Sequence, residues 1–516
     1  MSATVYPIIH NAIAETIVRD IVTKNAKYYY FLGKTLPYNS GVEVVELPTN
    51  DYKYELKTRL EMIELKEITS NDVSYVIPRI DWVSGTVYDH YDDAEDISNK
   101  QFYVITSDYN VYKCLDNNYG AASIKMPSGH DTAPFYTIED GYKWKFMFTI
   151  PLSLRAKFMT NAYIPVTTAF GSSFYNNGGI DIVSIENGGT GYDPNVNPVT
   201  ITVQSSTGGT GAQLSPVVSN GSIVDVIIDN PGEGYTYADI TVFGNAVDDT
   251  DAIITATFNQ GSINTIQADV ELLATEGTIE YIKVVDQGYN YGNVTVVIDG
   301  DGVEASAEAV VVDTRIVGIN IINSGHGYTY ATVTLIGSGT GASARAIMSP
   351  KGGHGKNAVN ELYADTLMFF SNISTERNNG FTLSNDFRQF GIIKNPTKFD
   401  STVPFSTKFG STCFTLYGTV DTTKFLTDDE LHDNDWNKYK IVAVESAGIL
   451  VQSINNTIPI SGATLVNNRN GEGFLPLTVT MPQVNKYSGK LLYVDNRAAF
   501  YQTEDQSITL QTVIKF

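Results

Sequence analysis

The chain has 516 residues, of which 42% are hydrophobic, and carries 57 acidic against 34 basic side chains for a net charge of −23. Its length exceeds what one hydrophobic core serves and points to about two to four domains. The acidic balance, with no Lys/Arg run, excludes the basic patch of a direct nucleic-acid binder and reads as solubility of a large assembly component. Charged residues make up only 18%, while 43 glycines and 32 tyrosines accompany abundant Thr, Val, Ile and Asn. That is the composition of strands and turns, so the expectation is a mainly β fold. Cys114 and Cys413 are far apart and form neither a disulfide framework nor a metal cluster, which fits synthesis in a reducing compartment. No cationic leader and no apolar run near the ~20 residues of a membrane span are seen, so a soluble chain without membrane insertion is expected.

In chain order, Asn11 precedes Ile13, Ile17, Val18 and Ile21 at amphipathic helical spacing, and a second helix is expected after Asn50 with Leu56, Leu60 and Ile63 on one face. Tyr28 to Leu32 reads as a strand. "QFYVITSDYNVYKCLD" reads as a hairpin around Ser107-Asp108, and "YKWKFMFTIP" as a strand with alternating Trp144, Phe146 and Phe148. This first part is α+β.

From about residue 178 four related units follow: "IDIVSIENGGTGYD", "IVDVIIDNPGEGYTYADITV", "IEYIKVVDQGYNYGNVTV" and "IVGINIINSGHGYTYATVTL". Aligned on a Tyr directly behind a Gly, the equivalent residues are Tyr192, Tyr235, Tyr289 and Tyr328. In three units the positions seven and nine before the Tyr are β-branched: Ile185/Val183, Ile228/Val226 and Ile321/Ile319. The third unit shows Val284/Ile282 in a turn two residues shorter. A constant apolar face implies a strand buried on one side. A second strand follows, carrying Ile240/Val242, Val294/Val296 or Val333/Leu335, and then a small-residue segment such as "GSGTGASARAIM". A phosphate-cradling loop would occur once, before a helix; four recurrences between strands indicate a scaffold, expected as four stacked hairpin units projecting as an autonomous module. Lys351 to Gly355 reads as a flexible boundary. "ELYADTLMFF" reads as helix or strand, residues 400–485 as β-rich around the acidic "TDDELHDNDW" (a short helix or solvated loop), and the chain ends in strands.

Motifs that carry chemistry fail in detail. "FLGKTLPY" has the Gly33-Lys34-Thr35 tail of a phosphate loop but Tyr28 where the first Gly belongs. "GGTGYDPNV" starts like a calcium β-roll but has Asn195 where an apolar residue is required. The stretches 89–96 and 428–435 are carboxylate-rich without EF-hand spacing. His10, His90, His130, His326, His354 and His432 show no metal-ligand spacing, and no nucleophile elbow occurs. No catalytic, cofactor-binding or metal residues are therefore assigned, and no cofactor or enzymatic activity is expected.

Seven strings outside the repeats, "YVIPRIDW", "DYNVYKCLD", "EDGYKWKFMFTIP", "NAYIPV", "DFRQFGIIKNP", "GKLLYVDNRAAF" and "DQSITLQTVIKF", stand in collinear order. In that order the chain resembles the baseplate wedge subunit called gene product eight in T-even-like contractile-tailed bacteriophages, over roughly 1–170, 360–400 and 485–516. The resemblance implies a virion structural protein of the tail baseplate, assembled in the host cytoplasm. Such a subunit is a homodimer, docks other wedge proteins and takes part in the conformational change that triggers sheath contraction. The implied layout is a β-sandwich-like wedge body (1–177, 351–400 and 486–516) interrupted by the β-repeat domain 178–350 and a second β-rich insertion at 401–485. The matched positions Pro78-Arg79, Asp81-Trp82, Tyr142, Trp144, Arg388-Gln389 and Asn496-Arg497 read as structural, with aromatics in the core and arginines paired to nearby carboxylates. Two rival functions are weighed. A receptor- or glycan-binding tail protein needs Tyr235, Tyr237, Tyr328 and Tyr330 grouped outward. A solenoid polysaccharide enzyme needs more basic residues than Lys283, Arg315 and Arg345.

Overall fold

The computed structural model describes residues 7–22, 26–38, 44–168, 179–194, 196–205, 208–235, 237–245, 249–258, 261–373, 386–445, 447–501 and 508–516. The boundary placed at 178, Asn195 of the calcium-like string and the first residues of the terminal string lie outside these. Strands hold 46% of the chain and helices 11%, as a mainly β fold requires.

Two antiparallel sheets form the body. One runs, edge to edge, Phe409–Ser411, Met62–Ile68, Tyr28–Gly33, Asp386–Lys394 and Lys490–Tyr501; the other runs Ile508–Lys515, Thr366–Ile373, Val73–Pro78 and Tyr163–Pro165. They share a core of Tyr28, Tyr30, Leu32, Ile392, Val73 and Leu367, to which the helix Pro7–Val22 adds Ala14, Val18 and Ile21. The strand Tyr28–Gly33 is buried on both faces, because Tyr29 and Phe31 enter a second core with Phe405 and Val484. Two expectations are corrected here. Ile13 is exposed, since the buried stripe Ala14, Val18, Ile21 runs at i, i+4, i+7 and leaves Ile13 beside it. Ile63 is not on the second helix, which spans Tyr52–Glu61 behind an Asp51 cap; the chain passes straight into the strand Met62–Ile68.

The expected hairpin is present as Tyr103–Ile105 and Asn110–Asp116, flanked by Lys143–Thr149 and Phe135–Tyr136 in a four-stranded sheet. Trp144 and Phe146 pack with Tyr88, Tyr112 and Tyr142 on one face. "ELYADTLMFF" divides into the short helix Ala358–Glu361 and the strand Thr366–Ile373. The acidic stretch near 430 is neither a helix nor wholly a loop: Glu430–His432 is a strand in a seven-stranded sheet over residues 414–480. That sheet has its own core of Leu416, Phe425, Tyr439, Ile449 and Phe474.

The four units fold as two pairs, each pair six strands with the same nested antiparallel pairing. In the first, Ile180–Asn187 pairs with Ile253–Phe258, Thr200–Gln204 with Asp239–Phe243, and Thr210–Ser219 with Ser222–Glu233. In the second, Ile279–Tyr289 pairs with Thr340–Met348, Val294–Gly300 with Ala331–Gly337, and Ser306–Val312 with Arg315–Asn323. The second set forms one continuous sheet whose edges meet, the Ile279 N–H donating to Ser324 O at 2.9 Å, so it curls into a barrel. Each set has a separate core. The expected single stack of four hairpins is thus replaced by two sets of two units each: the second a near-closed barrel, the first three two-stranded ladders around one core. A helix absent from the sequence reading, Gly261–Leu272, joins them.

Candidate functional site

The repeated turn is the first candidate. Tyr192, Tyr235, Tyr291 and Tyr328 are 2%, 3%, 5% and 6% exposed, whereas Tyr289 is 55% exposed. The third equivalent is therefore Tyr291, and Val284 and Ile282 then lie seven and nine residues before it as in the other units, with no shortened turn. The register agrees: Val296, five residues after Tyr291, pairs with Leu335, seven after Tyr328, and Ile298 pairs with Val333 in the reciprocal sense.

With that alignment every turn reads Asx-x-Gly-x-(Gly/Asn)-Tyr. The Asx carboxylate or amide oxygen accepts the first Gly N–H, from Asn187 to Gly189, Asn230 to Gly232, Asp286 to Gly288 and Asn323 to Gly325, at 2.9–3.1 Å. Those four glycines have φ of 59° to 67°. The residue before the Tyr is also left-handed: Gly191, Gly234 and Gly327 at 74° to 77°, and Asn290 at 63°. Asn is the side chain that tolerates this region best. The two left-handed residues fold the Tyr back into the interior of its pair, where it meets the small-residue segment of the other unit. The Ala252 N–H donates to Tyr192 Oη at 2.9 Å, Ala212 to Tyr235 and Ala342 to Tyr291 at 3.3 Å. These tyrosines hold two units together. Tyr237 and Tyr330 are exposed while Tyr235 and Tyr328 are not, so the four-ring platform that a glycan site would require is not formed.

The matched body residues are also placed. Tyr142 and Trp144 are fully buried and stacked, centroids 5.5 Å apart, and Trp82 is half-buried with its indole N–H on Ser123 Oγ at 3.1 Å. Each arginine pairs with a carboxylate two residues away: Arg79 with Asp81 (2.9 Å), Arg388 with Asp386 (3.2 Å) and Arg497 with Asp495 (2.7 Å). Gln389 and Asn496, both buried, bond to each other at 2.8 Å across neighbouring strands.

The second barrel is joined to the body by charge. The acidic loop 89–96 serves as a clamp: Asp92, nearly buried, accepts from Arg345 and from Lys283 (3.2 Å), Asp93 from Arg345 (2.6 Å) and Glu95 from Lys283 (2.7 Å). Deeper in, Lys143 pairs across the junction with Glu280 at 2.5 Å, and beside it, within the body, Lys113 pairs with Glu361 at 2.8 Å, all four buried. Tyr281 and Ile347 of the barrel enter the body core, and Val270 of the joining helix packs with Trp144 and its neighbours. The expected free-standing module is therefore corrected to a docked one. The segment Lys351 to Gly355 is corrected likewise. Gly353, His354 and Gly355 are buried, and a Cβ on Gly355 would lie 2.6 Å from Lys145 Cε. The first set is held more lightly, by Lys408 to Asp229 (3.3 Å, half-exposed) and the Asn71 amide on Ile228 O (3.2 Å).

At this junction Lys113 and Lys145 stand directly opposite each other on adjacent strands, 0% and 2% exposed, on one face. Like charges so placed repel. Burial lowers both from the ordinary lysine range, Lys145 to about 8. His354, buried beside Lys113 with its Nδ1 at 3.0 Å from Lys113 Nζ, is driven well below its usual value by burial and then by the lysine charges. Sequence reading missed these residues. The signal was Lys143 and Lys145 spaced i, i+2 in an otherwise apolar strand, which puts two ammoniums on one buried face. Among the described residues no group of three or more His, Cys, Asp or Glu side chains is gathered to hold a metal ion, and Cys114 and Cys413 are buried and unpaired. No described helix is long and apolar enough to cross a membrane. Compared with known proteins, the chain matches no family model, and no match among curated proteins was found.

Proposed function

We propose that the chain is a structural subunit of a phage tail baseplate wedge, a homodimer that joins other wedge proteins and moves with them when the sheath is triggered. The observation that carries the reading is where the seven strings of the resemblance fall. Six of them supply neighbouring strands in the two body sheets and the four-stranded sheet, Tyr75 to Pro78 beside Tyr163–Pro165, Asn110–Asp116 beside Lys143–Thr149, and Asp386–Lys394 beside Lys490–Tyr501, and the seventh supplies the edge strand Ile508–Lys515. Segments dispersed over 516 residues thus make one continuous body, with the three β units between them. The side chains match a load-transmitting role: tyrosines spent on joining repeats and buried ion pairs spent on joining domains. The glycan-binding alternative is less well supported, because half of its rings face inward.

Immunogold labelling of intact virions with antibody against this chain tests the proposal. Label on the plate at the distal end of the tail tube is expected, and label confined to fibre tips or to the capsid would overturn it in favour of a receptor-binding or head protein.

A further inference from the structure

We propose that the cavity between the Lys143–Thr149 strand and the second barrel binds a small oxyanion, a carboxylate or phosphate group, held by Lys145 and His354. The inference does not depend on the wedge reading. It rests first on where the buried charges are paired. Of the buried ammoniums on Lys113, Lys143 and Lys145, Lys113 has Glu361, Lys143 has Glu280 beside it and Asp116 as its cross-strand partner, and both glutamates are engaged. Glu361 accepts from Lys113 (2.8 Å) and from the backbone N–H groups of Gly355 (2.9 Å) and Asn357 (3.1 Å). Glu280 accepts from Lys143 (2.5 Å) and from Ser324 Oγ (2.9 Å). Lys145 donates to the Thr132 carbonyl. One of its three hydrogens is used, and no described carboxylate lies within ion-pair distance of it; Glu361 and Glu280 act on it only from farther off. A lone ammonium away from water is costly, and the cost is relieved when an anion sits beside it.

The second support is the space. Lys145 lines a cavity of about 530 Å³ that also touches Lys143, Glu280, His354 and Asn323. With Lys113 held as an ammonium by Glu361, the His354 Nδ1 beside it can only accept, which assigns the hydrogen of the neutral ring to Nε2, and His354 is among the residues lining the cavity. Pro134 and Ile321 give part of that wall an apolar character. An anionic head with a short apolar body fits such a lining better than a fully hydrated ion.

The test uses the full chain with two probes, inorganic phosphate and butyrate, each against sodium chloride at equal ionic strength. Calorimetric titration and thermal unfolding should show saturable one-site binding and a raised Tm with at least one probe; which probe saturates tells phosphate from carboxylate chemistry. Lys145→Met should weaken that binding about tenfold or more, and His354→Phe should weaken it too. In wild-type protein, the saturating anion should protect Lys145 from acetylation by an N-hydroxysuccinimide ester, read by peptide mass spectrometry, which keeps the test open should a variant fail to fold. Neither probe exceeding the chloride control, binding unchanged in Lys145→Met, or Lys145 acetylated equally with and without anion would each overturn the proposal.

Discussion

Replacing Gly325 and Gly327 separately by Ala separates two costs that the repeated turn combines. At Gly327, φ is +75° and an added Cβ meets nothing within 4 Å, so Gly327→Ala carries backbone strain alone, about 1–2 kcal/mol. At Gly325, φ is +60° and the added Cβ would lie 2.5 Å from Val303 O and 2.6 Å from Ala305 N. Both are backbone atoms of the paired unit and neither can rotate aside. Overpacking of this kind adds about 1–3 kcal/mol, so Gly325→Ala should cost about 2–5 kcal/mol in all. Asn290, the left-handed counterpart of Gly327 in the third unit, supplies the control: Asn290→Gly should change stability by less than about 1 kcal/mol. Hydrogen exchange of the amides in Arg315–Asn323 and Thr340–Met348 is the suitable assay, because it reads the opening free energy of this barrel without the other domains. Equal losses from Gly325→Ala and Gly327→Ala would refute the reasoning, since the turn would then not press on its partner unit.

Glu280→Gln should cost about 3–5 kcal/mol because Lys143 is left as an uncompensated buried charge, whereas Lys143→Met combined with Glu280→Leu should cost less; denaturant titrations of the single and double variants check both. Lys145 and Lys486 titrate in the folded chain near 8, below the ordinary 10.5, through burial. Between about pH 8 and 10.5 the unfolded chain holds protons that the folded chain has released, so stability should rise with pH across that window, and Lys145→Met should flatten the slope measured from denaturant midpoints. Excising 180–258, whose ends Ile180 and Phe258 are register partners, should leave the remaining cooperative melt intact. Excising 178–350 should not, because Val270, Tyr281 and Ile347 leave the body cores with it; differential scanning calorimetry of both deletions decides. Light scattering should give a mass near twice the 56.5 kDa chain, and a monomer at micromolar concentration would count against the proposed dimer.

Local signals were legible wherever one residue type has one physical use. Ser107-Asp108 marked its hairpin, and the β-branched pairs seven and nine before each Tyr marked strands that are half-buried on that face. The third unit was misaligned because Tyr289 and Tyr291 are both tyrosines in the same turn, and only burial separates them. The Asx residue two before the first Gly, Asp286, carries the register that the Gly-Tyr dipeptide does not. The helix Gly261–Leu272 left a trace in Ile266 and Val270, four apart, but its neighbours on both sides are strands. The charge cluster was the least legible part. Lys143 and Lys145 stand two residues apart, yet Glu280 reaches Lys143 and Glu361 reaches Lys113 from distant segments, and such pairings follow from topology rather than from any local pattern.

Each barrel tyrosine is seated in the partner unit and not in its own, and this places an arithmetic rule on the history of the chain. A solitary unit has a ring with no seat and a seat with no ring, whereas a finished pair has every ring seated. Copies are therefore gained or lost most simply in twos, by duplicating or deleting a whole pair. Since each pair's first and last strands are neighbours, such an event can occur within a single loop and leave the ends of the flanking chain where they were.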